Sequence, residues 1–357
     1  MTTLPIFKNL KIIDLSSVLA GPSVGTFFAE LGAQVIKVEH PENYDVTRGW
    51  KLPSEKKENT SAYFASVNYG KSYERLNLSQ VKDHEIFMSF IEESDLLIMN
   101  FKPGDQQKLK ISDEELWKTN PRLIIGKISG FGNDSDRVAY DLILQAETGF
   151  MSMNGDADTQ PTKMPVALID ILAAHHLKEG LLLALMDRMT SNQGSCVEVS
   201  LYDAALCSLA NQASNYLMTG VIPKRMGSLH PNIAPYGEIF TTKDSVQFTI
   251  AIGSDLHFRK LLAILNLSKL QDDDRFSTNQ SRVKNREELG AYIAEKLNNL
   301  ESMVLFETLR SEKIPYGEIK SLDKVFSDRN AQELIREDQL TNIIGKRMTS
   351  IAFKWKK

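Results

Sequence analysis

Residues 11–39 read KIIDLSSVLAGPSVGTFFAELGAQVIKVE, and this stretch decides the fold. Lys11 to Leu15 is a short apolar run of the kind that a buried strand needs. Ser16 to Gly21 is a turn of small residues. Pro22 stands where a first helical position belongs, since its missing N–H is not needed there. From Ser23 to Leu31 apolar residues recur at helical spacing, and Gly32 supplies the cap glycine that ends the helix. Gln34 to Glu39 is a second strand. Strand, short helix and strand make a βαβ unit, which requires parallel strands and a right-handed crossover.

Outward from this unit the pattern recurs. Asp95 to Met99 and Leu123 to Ile128 read as buried strands, Asp170 to Met189 as a long apolar helix, and Cys196 to Leu201 as another strand. Strands alternating with helices predict an α/β doubly wound core. Near Gly220 the character changes. Pro223, Gly227, Pro231, Pro235 and Gly237 mark an extended crossing segment. Beyond it, Gly237–Phe240 and Val246–Ile252 read as paired strands, with helices following from Asp255. A smaller α+β domain is therefore expected at 223–320, and the charged tail after Ser321 is expected to be mostly helical and to pack back on the first domain.

A chain of 357 residues suits two domains. The net charge of −4 gives no global attraction for nucleic acid or an acidic membrane, so an anionic ligand would need a local basic pocket. Cys196 and Cys207 make neither a metal spacing nor a disulfide framework, and both read as small buried hydrophobes. The first residues carry no apolar signal core, and the longest apolar stretch, Leu181 to Met186, is too short to span a bilayer. The expectation is a cytoplasmic protein with no membrane and no nucleic-acid partner.

Several chemistries are disfavoured by missing motifs. SSVLAGPSVG after the first strand is not G-x-G-x-x-G, so close pyrophosphate approach at that turn is not encoded. The Gly130/Gly132 pair is incomplete in the same sense. No P-loop and no G-x-S-x-G elbow occur. His175 and His176 are adjacent on a helix, cannot form an i, i+4 metal pair, and read as partly buried. No metal is expected.

Asp170 is the only charge in the apolar run Pro165 to Ala174, and it falls where a helix begins. It reads in two ways: an N-cap accepting a backbone N–H, which is the commoner use of such a residue, or a desolvated carboxylate poised as a nucleophile. Lys37, Arg48, Lys71, Lys102 and Lys108 follow predicted strands or turns and, taken singly, read as solvated surface charges.

Ten segments in order carry a resemblance: SSVLAGP, ELGAQVIKVEHPENYDVTRGW, SAYFASVN-x-x-K, NFKPG, NPRLI, ISGFG, YDLILQAETG, PVALID, VEVSLYDAAL and HPNIAPYG. Together, from about residue 6 to about residue 350, they resemble the family III CoA transferases (the CaiB/BaiF group), which include formyl-CoA and carnitine CoA transferases. The resemblance implies a Rossmann-like large domain from residues 1–222 and 321–357, a small α+β domain at 223–320, and two subunits interlocked as a homodimer. It implies an acyl-CoA and a small carboxylic acid as substrates, with coenzyme A moved between acids.

Asp170 matches the family's aspartate nucleophile, which implies an aspartyl anhydride and then an aspartyl-CoA thioester. Val18 and Ala20 match backbone positions lining the coenzyme A site. His40 stands where members often have an arginine stacking on adenine. Leu76, Asn100 and Phe101 match positions around the adenosine and pantetheine, and Lys108 a basic residue near the phosphates. The acid pocket is expected to draw on Arg225 to Tyr236 and on the partner subunit.

The chain departs from the family at Val138, where some members carry lysine, and at Ala174, where glycine is common. It also ends at IAFKWKK, short of a further helix. Two rival readings follow. An acyl-CoA racemase would need a His-Asp pair where this chain has Tyr140-Asp141, and a phenol with an ordinary pKa of about 10 is a poor base. A CoA-binding protein without catalysis leaves the lone carboxylate of Asp170 unexplained, because an unpaired buried acid is costly.

Overall fold

The computed structural model describes residues 5–132, 134–340 and 343–355. The chain divides into two compact units. One comprises residues up to Met151, Lys163–Ile222 and the chain from Arg329 onward; the other comprises Ser152–Thr162 and Pro223–Asp328. The short segment Ser152–Thr162, expected in the large domain, thus clusters with the smaller unit.

The first unit contains strands β1 (Lys11–Asp14), β2 (Gln34–Glu39), β3 (Lys71–Arg75), β4 (Leu96–Met99), β5 (Ile124–Ser129) and β6 (Cys196–Ser200). Its helices include α1 (Ala20–Glu30), α2 (Ala62–Ser66), α3 (Val81–Glu93), α4 (Asp105–Lys108), α5 (Asp113–Thr119), α6 (Asp141–Glu147) and α8 (Leu168–Ser191), while α7 (Phe150–Met153) straddles the division after Met151. The six strands form one parallel sheet in the order β3-β2-β1-β4-β5-β6.

Strand alternation sorts the apolar side chains onto two faces. Ile12, Leu96, Ile98 and Ile124 pack with α1 and α8, whereas Ile13, Leu97, Met99 and Ile125 pack with Phe87 and Ile91 of α3 and Leu116 of α5. Both faces are covered, which is why these strands read as unbroken apolar runs. α8 lies close on the sheet at Gly180, where an added Cβ would stand 2.5 Å from Val197 Cγ1.

Between β1 and β4 the strand order reverses: the chain leaves β1 toward β2 and leaves β4 toward β5. Open α/β sheets place their ligands in the crevice outside the strand ends at such a point. The residues that follow these two strands, Ser17 and Asn100, meet there.

Helix α1 begins two residues before Pro22, which therefore occupies its third position. That costs nothing, since the first four N–H groups of a helix lack intrahelical partners. The expected helical tail is corrected. After short helices at Leu322–Phe326 and Arg329–Gln332, the chain forms an antiparallel hairpin, Ile335–Leu340 with Ile343–Met348. On its second strand the inward positions are Gly345 and Arg347, while Ile344 and Met348 face outward. The apolar pattern is inverted because the inner face is held by charge. Glu30 of α1 pairs with Arg347 at 3.0 Å and accepts Thr349 Oγ1 at 2.9 Å and Ser350 N at 2.6 Å. Burial works to raise the Glu30 carboxyl, but Ser350 and Arg347 outweigh it and hold it below the usual range.

The second unit has a three-stranded antiparallel sheet, Tyr236–Thr241, Gln247–Ala251 and Tyr316–Glu318, packed with helices Asp255–Ile264, Arg286–Leu297 and Ser302–Ser311 around Phe240, Phe248, Phe258 and Leu261. Cys196 is half-buried and Cys207 exposed, so neither is the buried hydrophobe expected, and His175 is exposed as well. Among the described residues no helix is long and apolar enough to cross a membrane.

Candidate active site

The loop after β1 is pinned at every residue. Asp14, fully buried at the strand end, accepts Ser16 N at 3.0 Å and Lys71 Nζ at 2.7 Å. Lys37 Nζ donates to Ser16 O at 2.7 Å. Asn100, just past β4, accepts Ser17 N at 3.0 Å and donates to Ser17 O at 2.9 Å, clipping the two sides of the crevice together. Asp45 accepts Val18 N at 3.2 Å and pairs with Lys37 at 3.2 Å. Gly21 lets α1 approach this loop, since a Cβ there would fall 2.3 Å from Ser16 Cβ.

Val18 has φ 72°, in the left-handed region that a β-branched residue rarely enters. Such a conformation costs about 1–3 kcal/mol and persists only where the surroundings impose it. Here the surroundings are Asp14, Lys37, Asp45 and Asn100.

Lys37 and Lys71 are therefore not surface charges. Each is fully enclosed with a carboxylate, and Arg48, mostly buried, pairs with Glu39 and lies 3.7 Å over the Phe64 ring. Burial lowers the Lys71 ammonium to about 8 against the opposing pull of Asp14. Burial would raise Asp14, but the Lys71 and Lys37 charges hold it below its ordinary value. Removing one member of such a pair costs about 3–5 kcal/mol, because the other charge is left buried and alone.

Asp170 is not an N-cap. Helix α8 starts at Leu168, its N-cap position is Ala167, and Asp170 is its third residue. The capping is done from elsewhere: Asp141, the first residue of α6, accepts Ile169 N at 2.7 Å and Gln145 Nε2 at 2.5 Å. Asp170 is 8% exposed, and among the described residues nothing donates a hydrogen bond to its carboxylate. Burial first, and the Asp141 charge second, push its pKa up to about 7. Near neutral pH it is thus an acid poised between its two forms, the condition that suits proton transfer or nucleophilic attack.

Three cavities run along the crevice. The first, about 430 Å³, is lined by His40, Leu76, Asn77, Asp45, Asn100 and Phe101 among others. The second, about 240 Å³, shares Ser17, Asn100, Phe101 and Lys102 with it and adds Val18, Ala20, Arg137, Val138 and Asp170. The third, about 510 Å³, shares Val18, Leu19, Tyr140 and Asp170 with the second and adds Trp50, Tyr63, Lys163 and Val166. Asp170 thus stands where the second and third cavities meet.

Six of the seven expected binding positions, Val18, Ala20, His40, Leu76, Asn100 and Phe101, line the first two cavities. His40 Nδ1 accepts Asn43 N at 3.0 Å, which fixes its ring at the rim. Lys108 lines neither. It is exposed on α4 and paired at 3.0 Å with Asp105, which does line the first cavity.

Sequence reasoning missed the aromatic wall of the third cavity. Trp50 lies edge-on to Tyr63 at 5.2 Å and near Tyr140 at 6.5 Å. Burial, with the charges of Asp170 and Asp141, raises the Tyr63 phenol to about 12, so it stays a neutral donor. Asp113, Cys196 and Glu198 form a potential metal-ligating trio, but the Lys127 ammonium already pairs with its carboxylates at 2.7 and 3.3 Å. None of the three lines the crevice cavities.

The family model described as CoA-transferase family III matches residues 7–352. The chain is 36% identical to a succinate–glutarate CoA-transferase of Agrobacterium fabrum, covering 92% of this chain and 83% of that protein. It is 34% identical to the mouse succinyl-CoA:glutarate CoA-transferase, covering 90% and 73%. A CaiB/BaiF family protein from Brucella suis, known as a crystal structure, is 36% identical and superposes with a TM-score of 0.84 over 98% of this chain and 93% of that one.

Proposed function

The chain belongs to CoA-transferase family III, and from that premise we propose that Asp170 carries CoA between acids through covalent intermediates. An ionised Asp170 oxygen attacks the thioester carbonyl of an acyl-CoA. The C–S bond breaks, CoA leaves as thiolate, and a mixed anhydride joins Asp170 to the acyl group. The thiolate then attacks the Asp170 carbonyl carbon, the anhydride C–O bond breaks, and the donor acid departs as carboxylate. An acceptor carboxylate attacks the resulting aspartyl-CoA thioester and releases thiolate. Attack of that thiolate on the new anhydride, at the acceptor's carbonyl, forms the product thioester and frees Asp170. No proton is consumed in the cycle, and both covalent states remain activated so long as water is kept out.

The observation that carries this reading is the unpaired, desolvated carboxylate of Asp170 at the meeting point of two cavities. In this reading the coenzyme A body lies along His40, Leu76, Asn100 and Phe101, with Val18 and Ala20 beside its thioester end. The free N–H groups of the first turn of α1 face the developing oxyanion. Lys102, shared by the first two cavities, is better placed for a phosphate than Lys108. The third cavity receives the acid.

A homodimer, interlocked as in the family, fits the large apolar side chains left open on this unit: Leu183, Met186 and Met189 of α8, and Leu217, Met218 and Ile222 at and beyond the end of helix Ala210–Thr219. The names of the relatives make succinyl-CoA with glutarate the first substrate pair to try. The test is to mix the protein with succinyl-CoA, quench with hydroxylamine and map the peptide containing Asp170 by mass spectrometry. A hydroxamate on Asp170 is expected. Turnover without that adduct, or turnover undiminished in Asp170→Ala, would overturn the mechanism.

A further inference from the structure

Among the described residues lining the third cavity, Lys163 is the only lysine or arginine. The remaining wall is apolar or aromatic, with Trp50, Leu142, Pro165 and Val166, and the two acids Asp141 and Asp170. Lys163 makes no ion pair among the described residues. Its Nζ donates only to the carbonyl of the adjacent Met164, at 3.3 Å, and the side chain is exposed. Asp141, which accepts Ile169 N and Gln145 Nε2, makes no ion pair with Lys163.

We propose that the acid substrate is a dicarboxylate and that Lys163 selects it by pairing with the carboxylate remote from the reacting one. This rests on the reading of Asp170 as the nucleophile. The reacting carboxyl must reach Asp170, at one boundary of the cavity. An aliphatic spacer then lies against the Trp50 and Val166 wall, and a second carboxylate meets the Lys163 ammonium. A monocarboxylic acid would leave that ammonium to solvent. At about 510 Å³ the cavity is in the size range of small-molecule sites, so the limit on the acid is charge rather than room. Because the two acids repel any incoming anion, the Lys163 charge also offsets the cost of bringing a doubly charged substrate in.

The test compares glutarate with pentanoate, which keeps the five-carbon chain and lacks the far carboxylate, using acetyl-CoA as a donor that has no second carboxylate of its own. The wild-type protein, Lys163→Met and Lys163→Arg are assayed for kcat/KM with each acid. A hydrogen-bonded charge pair is worth about 10- to 100-fold, so Lys163→Met should lose about that factor with glutarate. Its rate with pentanoate should change less than about three-fold, and Lys163→Arg should keep most of the glutarate activity. Equal losses on both acids, no loss on glutarate, or a wild-type preference for pentanoate overturns the selection by Lys163 and leaves the transferase reading standing. If the wild-type protein transfers CoA to neither acid nor to any other, both fall together.

Discussion

Replacing Asp170 by asparagine should stabilise the protein while abolishing transfer, and the gain should grow with pH in a defined window. Asp170 has an ordinary carboxyl pKa of 3.8 when the chain is unfolded and about 7 when folded. A carboxyl raised in this way contributes stability that is fully present below pH 3.8 and is lost as pH rises to 7, because the unfolded chain ionises it first. Every tenfold change in the ionisation constant corresponds to about 1.4 kcal/mol, so the folded state forgoes about 4 kcal/mol above pH 7 and about 1.7 kcal/mol at pH 5. Asparagine keeps the shape and never ionises. Urea unfolding of the two proteins at matched concentration should therefore show a stability difference rising by about 2–3 kcal/mol between pH 5 and pH 8, then levelling off. Transfer in the wild type should rise through the same pH, as the nucleophile ionises. A flat difference, or a variant that is less stable at pH 8, would mean that Asp170 is solvated or paired, and the argument for a dry nucleophile would fail.

Two further substitutions probe the frame around it. Asn100→Ala removes both bonds to Ser17 and should cost about 1–3 kcal/mol, with a raised KM for the acyl-CoA as the strained loop relaxes; unaltered KM would separate the clip from the binding site. Gly180→Ala drives a methyl group into Val197 and should cost about 1–3 kcal/mol, largely recovered in the Val197→Ala double variant; thermal melts that show no recovery would place the cost elsewhere.

Much of the frame was legible because the sheet is covered on both faces. β1, β4 and β5 are short apolar runs, and these three together with β2 and β6 each read as a strand to within a residue or two. β3, KSYER, escaped notice since it is a polar edge strand whose one buried position is the lysine that pairs with Asp14. The closing hairpin escaped for a related reason, its inward residue being Arg347 rather than a hydrophobe. Local rules also put the start of α8 at Asp170, because the carboxylate that satisfies Ile169 N comes from Asp141, 28 residues earlier. Asp170 itself was visible as the one charge in an apolar run. Lys163, Trp50 and Tyr63 were not: single aromatics and lysines scattered over the sequence carry no pattern, and only the folded chain gathers them.

The clasp of Glu30 by Thr349 and Ser350 has a bearing on biosynthesis. The helix that follows the reaction loop leaves the ribosome 320 residues ahead of the serine that donates to its last residue, Glu30, beside the Arg347 that pairs with it. Until the late segment is made, the Glu30 carboxylate lacks Arg347, Thr349 and Ser350, the partners that hold it in its ionised form. The opening βαβ unit is thus completed by residues made long after it.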